Sequence, residues 1–231
     1  MKIHRFIGDF DFNHPEIRIT DTEIIKQIRN VLKLEPGETL ILSDGKGTSA
    51  EIIIETIQKS AVLGVVLSKK IESSKGPEVT LYLAILKKEN FELAVQKATE
   101  VGVHEVIPII TERTIKTGLN MGRLQKITKE ASEQSGRSLI PTIGNIMTYE
   151  EALEAGAKKE SKTVFHLSEK DFSPAKEAMS HSIFIGPEGG FTDREIALAR
   201  THGYDIASLG ALTLRGETAA IVATYRAVQG I

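Results

Sequence analysis

From Glu78 to the C-terminus the sequence alternates between two hydrophobic periods, and this alternation restricts the fold more than any other feature. "EVTLYLAIL" reads as a buried strand, and "NFELAVQKATEV" as a helix closed by Gly102, where a left-handed residue is favoured. "HEVIPII" is a strand, "GRLQKITKEASEQSG" and "TYEEALEAGAK" are helices, and "KTVFHLS" and "SIFIG" are strands. "TDREIALARTH" is a helix closed by Gly203, "YDIASLG" a strand, and "ETAAIVATYRAVQ" a final helix. Strands alternating with helices predict an α/β fold with a mostly parallel sheet covered on both faces.

Residues 1–72 follow another pattern. "ETLILSDGKGTSAEIIIETI" gives two strands about Asp44-Gly45-Lys46-Gly47, a hairpin signal, and "AVLGVVLSKKI" gives a third strand. "TDTEIIKQIRNVLKL" has helical spacing at Ile24, Ile28, Val31 and Leu32, with Thr20 or Asp21 as the cap. Several short strands and one helix predict a small barrel. The polar run Glu72-Ser73-Ser74-Lys75-Gly76-Pro77 breaks the pattern, so the expected domains are 1–72 and 73–231.

Composition removes several classes of function. Hydrophobic residues make up 41% and charged residues 26%, as in soluble globular proteins. The apolar runs are strand-sized, short of the roughly 20 residues a membrane span needs. The start, Met1 to Phe6, lacks the apolar core of a signal peptide, so a cytoplasmic protein without membrane attachment is expected. With no cysteine there is no disulfide, thiolate metal site or Cys nucleophile. The six histidines show no metal-ligand spacing, so no metal is expected. A net charge of −2 gives no overall attraction to nucleic acid but leaves a local basic face open.

Two strand ends carry unusual chemistry. "SIFIGPEGGFTDRE" packs Gly186, Pro187, Glu188, Gly189 and Gly190 between a strand and a capping box, Thr192 to Glu195. Such a loop is either a tight connection or a surface where backbone amides approach a ligand closely. It is neither a GxxxxGK[ST] phosphate loop nor a GxGxxG dinucleotide fingerprint. "SLGALTLRGETAA" then places apolar Leu212 and Leu214 in a loop, beside Leu209, Gly210, Arg215, Glu217 and Thr218. The leucines either pack beneath the loop or form a slot for a flat ring. Arg215 and Glu217 are either a surface ion pair or part of a site. On the helix "GRLQKITKEASEQSGRSLIP", Arg123, Glu130, Gln134 and Arg137 recur at helical spacing on one face, and Lys97 and Glu100 lie one turn apart on the preceding helix. These are solvated polar faces or a surface for phosphate and base edges.

"IGPEGGFTDRE" and "LGALTLRGETAA", preceded by "QKATEVGVHEVIP" and "EASEQSGRSLIP", resemble the bacterial RsmE family along nearly the whole chain, including "HRFI" and "VLKLEPGETLILSDGKG". The resemblance implies methylation of N3 of a uridine in 16S ribosomal RNA, with S-adenosyl-L-methionine as methyl donor. It implies a C-terminal SPOUT-type parallel sheet with a deep trefoil knot and a small N-terminal PUA-like β-barrel that binds RNA. A homodimer through the C-terminal domain and a substrate of 16S rRNA or the 30S subunit are implied as well. Carried over by position, the cofactor loops are His166 to Ser168, with Leu167, then Ile185 to Gly190, and Leu209 to Thr218. Arg5, in "HRFI", joins Lys97, Arg123, Glu130, Gln134 and Arg137 as an RNA-contacting residue. Leu212, Thr213 and Gly216 stand where the family carries Arg, Ile or Val, and Thr. Gln27-Ile28 replaces its adjacent histidines.

Uracil N3 becomes a good nucleophile only when its proton leaves. The enzyme must therefore orient the base and assist deprotonation. Arg215, Arg137 and Arg123 are candidates for holding the uracil anion or phosphate, and Glu188 or Glu217 for accepting the proton. Two further readings stand beside this one: a non-catalytic RNA-binding relative, and a SPOUT methyltransferase with a different nucleotide target.

Overall fold

The computed structural model describes residues 4–72, 76–115, 118–167, 170–175 and 177–231. The chain forms two compact units, Met1–Ser73 with Ser132–Ile140, and Ser74–Ala131 with Pro141–Ile231. A single cut after Glu72 thus leaves out residues 132–140, which group with the N-terminal unit. Ser73 to Lys75, in the expected linker, lie outside the described residues.

The first unit contains β1 (His4–Ile7), β2 (Glu16–Ile19), α1 (Thr22–Lys26), β3 (Thr39–Ser43), β4 (Thr48–Ile57) and β5 (Val62–Ile71). Its sheet has the order β1-β3-β4-β5-β2, with β1 parallel to β3 and the other pairs antiparallel. The β3–β4 turn forms because Asp44 Oδ1 accepts from the Lys46 and Thr48 amides, at 2.7 and 2.9 Å, while Gly45 and Gly47 take φ of 71° and 108°. Asp21 caps α1 by accepting from the Glu23 and Ile24 amides. The expected longer helix widens at Gln27–Val31 into a π-helical turn, where the Leu32 amide reaches back to the Gln27 carbonyl at 2.8 Å. Ile24 and Ile28 stay buried, but the widened turn leaves Val31 73% exposed, against the sequence spacing. Residues 132–140 complete this unit. The Ile7 amide donates to Glu133 Oε1 at 2.8 Å, the Gly47 amide to the Ser138 carbonyl at 3.1 Å, and the Ile140 amide to the Gly45 carbonyl at 3.0 Å.

The second unit begins with β6 (Glu78–Ala84), α2 (Lys88–Val101), β7 (Glu105–Ile110) and α3 (Met121–Ser135), whose last turn counts with the first unit. It continues with β8 (Thr142–Ile143), β9 (Met147–Thr148), α4 (Tyr149–Gly156), β10 (Ser161–Phe165) and β11 (Ser180–Ile185), and ends with α5 (Asp193–Thr201), β12 (Asp205–Ala207) and α6 (Gly216–Gln229). Its sheet runs β12-β10-β11-β6-β7-β8, with β9 also on β7, and every pair is parallel. This is the α/β architecture that the alternation predicts.

Successive strand residues feed opposite cores. Val79, Leu81 and Leu83 pack with Phe91, Val95, Ala220 and Ala223 beneath α2 and α6. Tyr82 and Ala84 pack with Phe184, Leu153 and Ala199 beneath α4 and α5. Each fully buried leucine contributes about 1.5–3 kcal/mol. Gly102 closes α2 at φ 110°, and a Cβ there would meet Val228 of α6 at 3.0 Å. Among the described residues no helix is long and apolar enough to cross a membrane.

Candidate functional site

The neighbouring strands β12, β10 and β11 end at Ala207, Phe165 and Ile185, and these three residues form the floor of a cavity of about 730 Å³. Cavities of that size accommodate small-molecule ligands, and carboxyl ends of parallel strands are where such sheets bind them. The chain leaves β6 towards β7 on one side and returns to β10 and β11 on the other, so the cavity lies near a reversal of strand order. Both glycine-bearing loops singled out in the sequence line it, from Ile185 to Gly190 and from Leu209 to Glu217, except Ala211. Leu167 also lines it, whereas Thr218 does not. Ser168 lies outside the described residues.

The first loop is fixed at several points. The Gly190 amide closes a turn on the Pro187 carbonyl at 2.8 Å, with Gly190 at φ 68°. Thr192 and Glu195 form the expected capping box at the start of α5. Glu195 is buried, and its other oxygen accepts from the Glu112 amide at 2.9 Å, tying the loop after β7 to the same helix start. Glu188 is exposed, and its Oε1 accepts from the Lys87 amide at 3.1 Å. Lys87 is the N-cap of α2 and has no side-chain cap of its own, so Glu188 supplies one from a distant loop. Arg113 donates from Nη1 to the Gly189 carbonyl at 2.6 Å. A Cβ on Gly189 would lie 3.2 Å from Arg113 Cδ, so this glycine makes room for the arginine stem.

The second loop turns at Gly210, φ 112°, and runs past Leu212, which is 79% exposed, to the start of α6. Gly216 admits Leu86: a Cβ there would lie 3.0 Å from Leu86 Cδ2, so a larger residue requires Leu86 to shift. Arg215 is exposed at the N-cap of α6, and Glu217, in its first turn, is 7% exposed. Among the described residues the two form no ion pair, and Glu217 Oε2 has no hydrogen-bond partner. A buried carboxylate oxygen left unsatisfied costs free energy unless a ligand supplies a donor or positive charge.

The residues read as RNA-contacting are spread out. Arg123 Nε donates to Glu92 Oε2 at 2.7 Å, and Lys97 Nζ to both Glu100 oxygens at 2.7 and 3.0 Å. Glu130 and Gln134 are exposed on α3. Arg137 does not share that helical face. The helix ends at Ser135, Gly136 takes φ 84°, and Arg137 Nε turns to the Leu139 carbonyl at 3.2 Å. Burial lowers the pKa of the Arg137 guanidinium. It does the same at Arg5, on β1, where the charge of Glu72 acts in the opposite sense. Sequence reading missed Lys87, Asn90 and Arg113, all of which line the cavity. Their common signal is position just beyond β6 and β7. Among the described residues no cluster of three His, Asp or Glu is arranged to hold a metal ion.

An α/β unit with a ligand-sized cavity at the strand ends, walled by two glycine loops, is an arrangement in which such sheets bind small-molecule ligands. Residues 73–228 match a family described as an RNA methyltransferase domain. The chain is 30% identical to ribosomal RNA small subunit methyltransferase E of Rickettsia conorii over 96% of this chain and 94% of the relative. A methyltransferase from Legionella pneumophila, solved with bound cofactor SAM, superposes with a TM-score of 0.85 at 29% identity, covering 97% of this chain and 96% of that one. A ribosomal RNA small subunit methyltransferase E from Neisseria gonorrhoeae, bound to S-adenosyl methionine, gives 0.85 at 27% identity, covering 96% and 95%. The chain belongs to the RNA methyltransferase family and, within it, to the ribosomal RNA small subunit methyltransferase E group.

Proposed function

We propose that this protein uses S-adenosyl-L-methionine to methylate N3 of a uridine in 16S ribosomal RNA of the small subunit. The observation that carries this reading is the buried Glu217 at the wall of the cavity, whose Oε2 has no hydrogen-bond partner among the described residues. The residues present fit the donor. Ile185, Leu209 and Leu214 give apolar wall for a flat ring, and the backbone of Gly186 to Gly190 gives hydrogen-bonding edges. The carboxylate of Glu217 suits a cationic ligand. When bound, the donor supplies an electrophilic methyl on a sulfonium.

The chain's own residues do the rest. Glu217 Oε2, unpartnered among the described residues, accepts the N3 proton of uracil, directly or through water. Glu188 is bonded to the Lys87 amide, so it is assigned the positioning of the glycine loop, and Glu217 the acceptance of the proton. Arg215, exposed at the mouth, stabilises the charge left on the uracil. Leu167, Leu212 and Leu214 edge the slot where the ring would lie, and Thr218 acts only from outside it.

In the same proposal residues 1–72, joined by 132–140, form a PUA-like RNA-binding barrel, and the rest of 73–231 forms a SPOUT domain with a trefoil knot. The return of α6 to pack against α2, β6 and β11 supports a threaded chain end. Tyr225 on α6 and Leu93 on α2, exposed at 46% and 40% on two helices that pack together, support a homodimer through the C-terminal domain. A ribosomal substrate implies a cytoplasmic site of action. Arg5 and Arg137 in one unit, and Lys97, Arg123, Glu130 and Gln134 on α2 and α3, are the proposed RNA contacts.

Calorimetry with S-adenosylmethionine, followed by methyl transfer to unmodified 30S particles mapped by mass spectrometry, tests the proposal. A methyl on uridine N3 supports it, and absent cofactor binding overturns it. Binding of cofactor and RNA without transfer would mark a non-catalytic relative. A methyl on another position would mark a different target.

A further inference from the structure

The cavity mouth carries a charge pattern that no motif announces. Lys87, Arg113 and Arg215 line it, all three are exposed, and among the described residues none pairs with a carboxylate. By contrast Arg123 and Lys97, the cations singled out by helical spacing, are already bonded to Glu92 and Glu100. In a chain of net charge −2, these three cations outnumber the two carboxylates of the lining, Glu188 and Glu217, so the cavity wall carries a local positive excess.

Arg113 differs from the other two in being held. Its Nη1 donates to the Gly189 carbonyl, and its stem lies where a side chain on Gly189 would otherwise be. Its backbone is fixed on both sides. Glu195 Oε1 accepts from the Glu112 amide at 2.9 Å, and Thr114 Oγ1 accepts from the Thr111 amide at 2.9 Å. The charge of Glu112 is turned to Arg194 at 3.9 Å, away from neutralising Arg113. A guanidinium has five N–H donors in a rigid fork. One is spent on Gly189, and the others have no recorded acceptor among the described residues. A fork whose entropy is already reduced and whose charge is uncompensated is suited to a phosphate oxygen.

We propose that Arg113 is a substrate-binding residue that grips a backbone phosphate of the RNA next to the nucleotide entering the cavity, with Lys87 extending the same basic rim. This rests on the reading as an RNA methyltransferase. Phosphate contact also explains why the position reads as an ordinary surface charge: it needs no sequence-specific partner, only a fixed cation beside the opening.

The test uses the full chain and deproteinised, unmethylated 16S rRNA, with affinity measured across a salt series for wild type, Arg113→Gln and Arg113→Lys. Arg113→Gln is expected to bind the RNA about tenfold more weakly at low salt. Its log–log salt slope should be shallower by about 0.7, the value for one single-strand phosphate contact. Arg113→Lys should keep the wild-type slope while losing part of the affinity. A slope unchanged in Arg113→Gln overturns the proposal, whatever happens to S-adenosylmethionine affinity measured on the same samples. Should Arg113→Gln fail to fold, dicarbonyl modification of wild-type Arg113 with and without RNA, read by mass spectrometry, decides. Protection supports the contact and equal modification overturns it. A wild type that binds no S-adenosylmethionine and transfers no methyl would instead remove the functional reading itself.

Discussion

Glu188 and Glu217 look alike in the sequence, each a carboxylate among glycines at a strand end, and the structure gives them different environments. Glu188 is exposed and caps α2, whereas Glu217 is buried with an oxygen unpartnered among the described residues. Glu217→Gln is expected to lower methyl transfer by about 10²–10⁴-fold while the fold is retained; transfer within threefold of wild type would end its role as proton acceptor. Glu188→Ala is expected to cost about 1 kcal/mol of stability through the lost cap, visible as a lowered urea midpoint. Glu188→Gln keeps an acceptor oxygen and should lose less than tenfold in transfer; a loss as deep as that of Glu217→Gln would make Glu188 chemical after all. The glycine loops were legible because glycine and proline punctuate a chain so strongly. Arg113 was not, since a single cation in a loop has the same sequence signature whether it holds a carbonyl or faces water.

Elements with strong local signals are legible in the sequence. The β3–β4 turn has Asp44 and two glycines, α2 ends at Gly102, and α5 begins with Thr192 and Glu195 in a reciprocal box. What escaped were features that local spacing cannot encode. The π-helical turn at Gln27–Val31 rotates Val31 outward, and the two-residue strands β8 and β9 are too short for periodicity. The helical repeat that placed Arg137 beside Arg123 ignored Gly136, a left-handed stop. Glu195 shows how one residue can serve two elements, since it caps α5 with one oxygen and holds the Glu112 amide with the other. Glu195→Ala is therefore expected to cost about 2 kcal/mol or more in urea unfolding, above the about 1 kcal/mol of a simple cap. A cost equal to that of Thr192→Ala would show that the bond to Glu112 adds nothing.

Acid should weaken the whole molecule in two stages. His181 on β11 is buried, its Nε2 faces the Ala178 carbonyl at 3.1 Å, and its Nδ1 has no partner among the described residues. Burial depresses its pKa, against smaller opposing effects from the Ala178 carbonyl and Glu160. Below about pH 6.5 the unfolded chain then takes up a proton that the folded chain refuses, so stability falls as pH drops until the folded pKa is passed. Glu72 has a depressed pKa through hydrogen bonds from Lys70 and Ser138, so its contribution is present above the ordinary carboxylate range and lost below it. Urea unfolding between pH 7.5 and 5.5 should show a positive slope of stability with pH that His181→Gln flattens; equal slopes would rule out His181 as the source.

The hydrogen bonds between residues 132–140 and Ile7, Gly45 and Gly47 also set an order of events during synthesis. The N-terminal sheet leaves the ribosome first, yet it cannot finish until Ile140 has followed, by which time β6, α2 and β7 have been made. A fragment ending at Glu72 should therefore exchange its Ile7 and Gly47 amide hydrogens rapidly, while the full chain protects them; equal protection would show that the sheet closes without help. For a protein whose proposed substrate is the ribosome's own small-subunit RNA, the module that would grasp that RNA becomes complete only after translation has passed well beyond it.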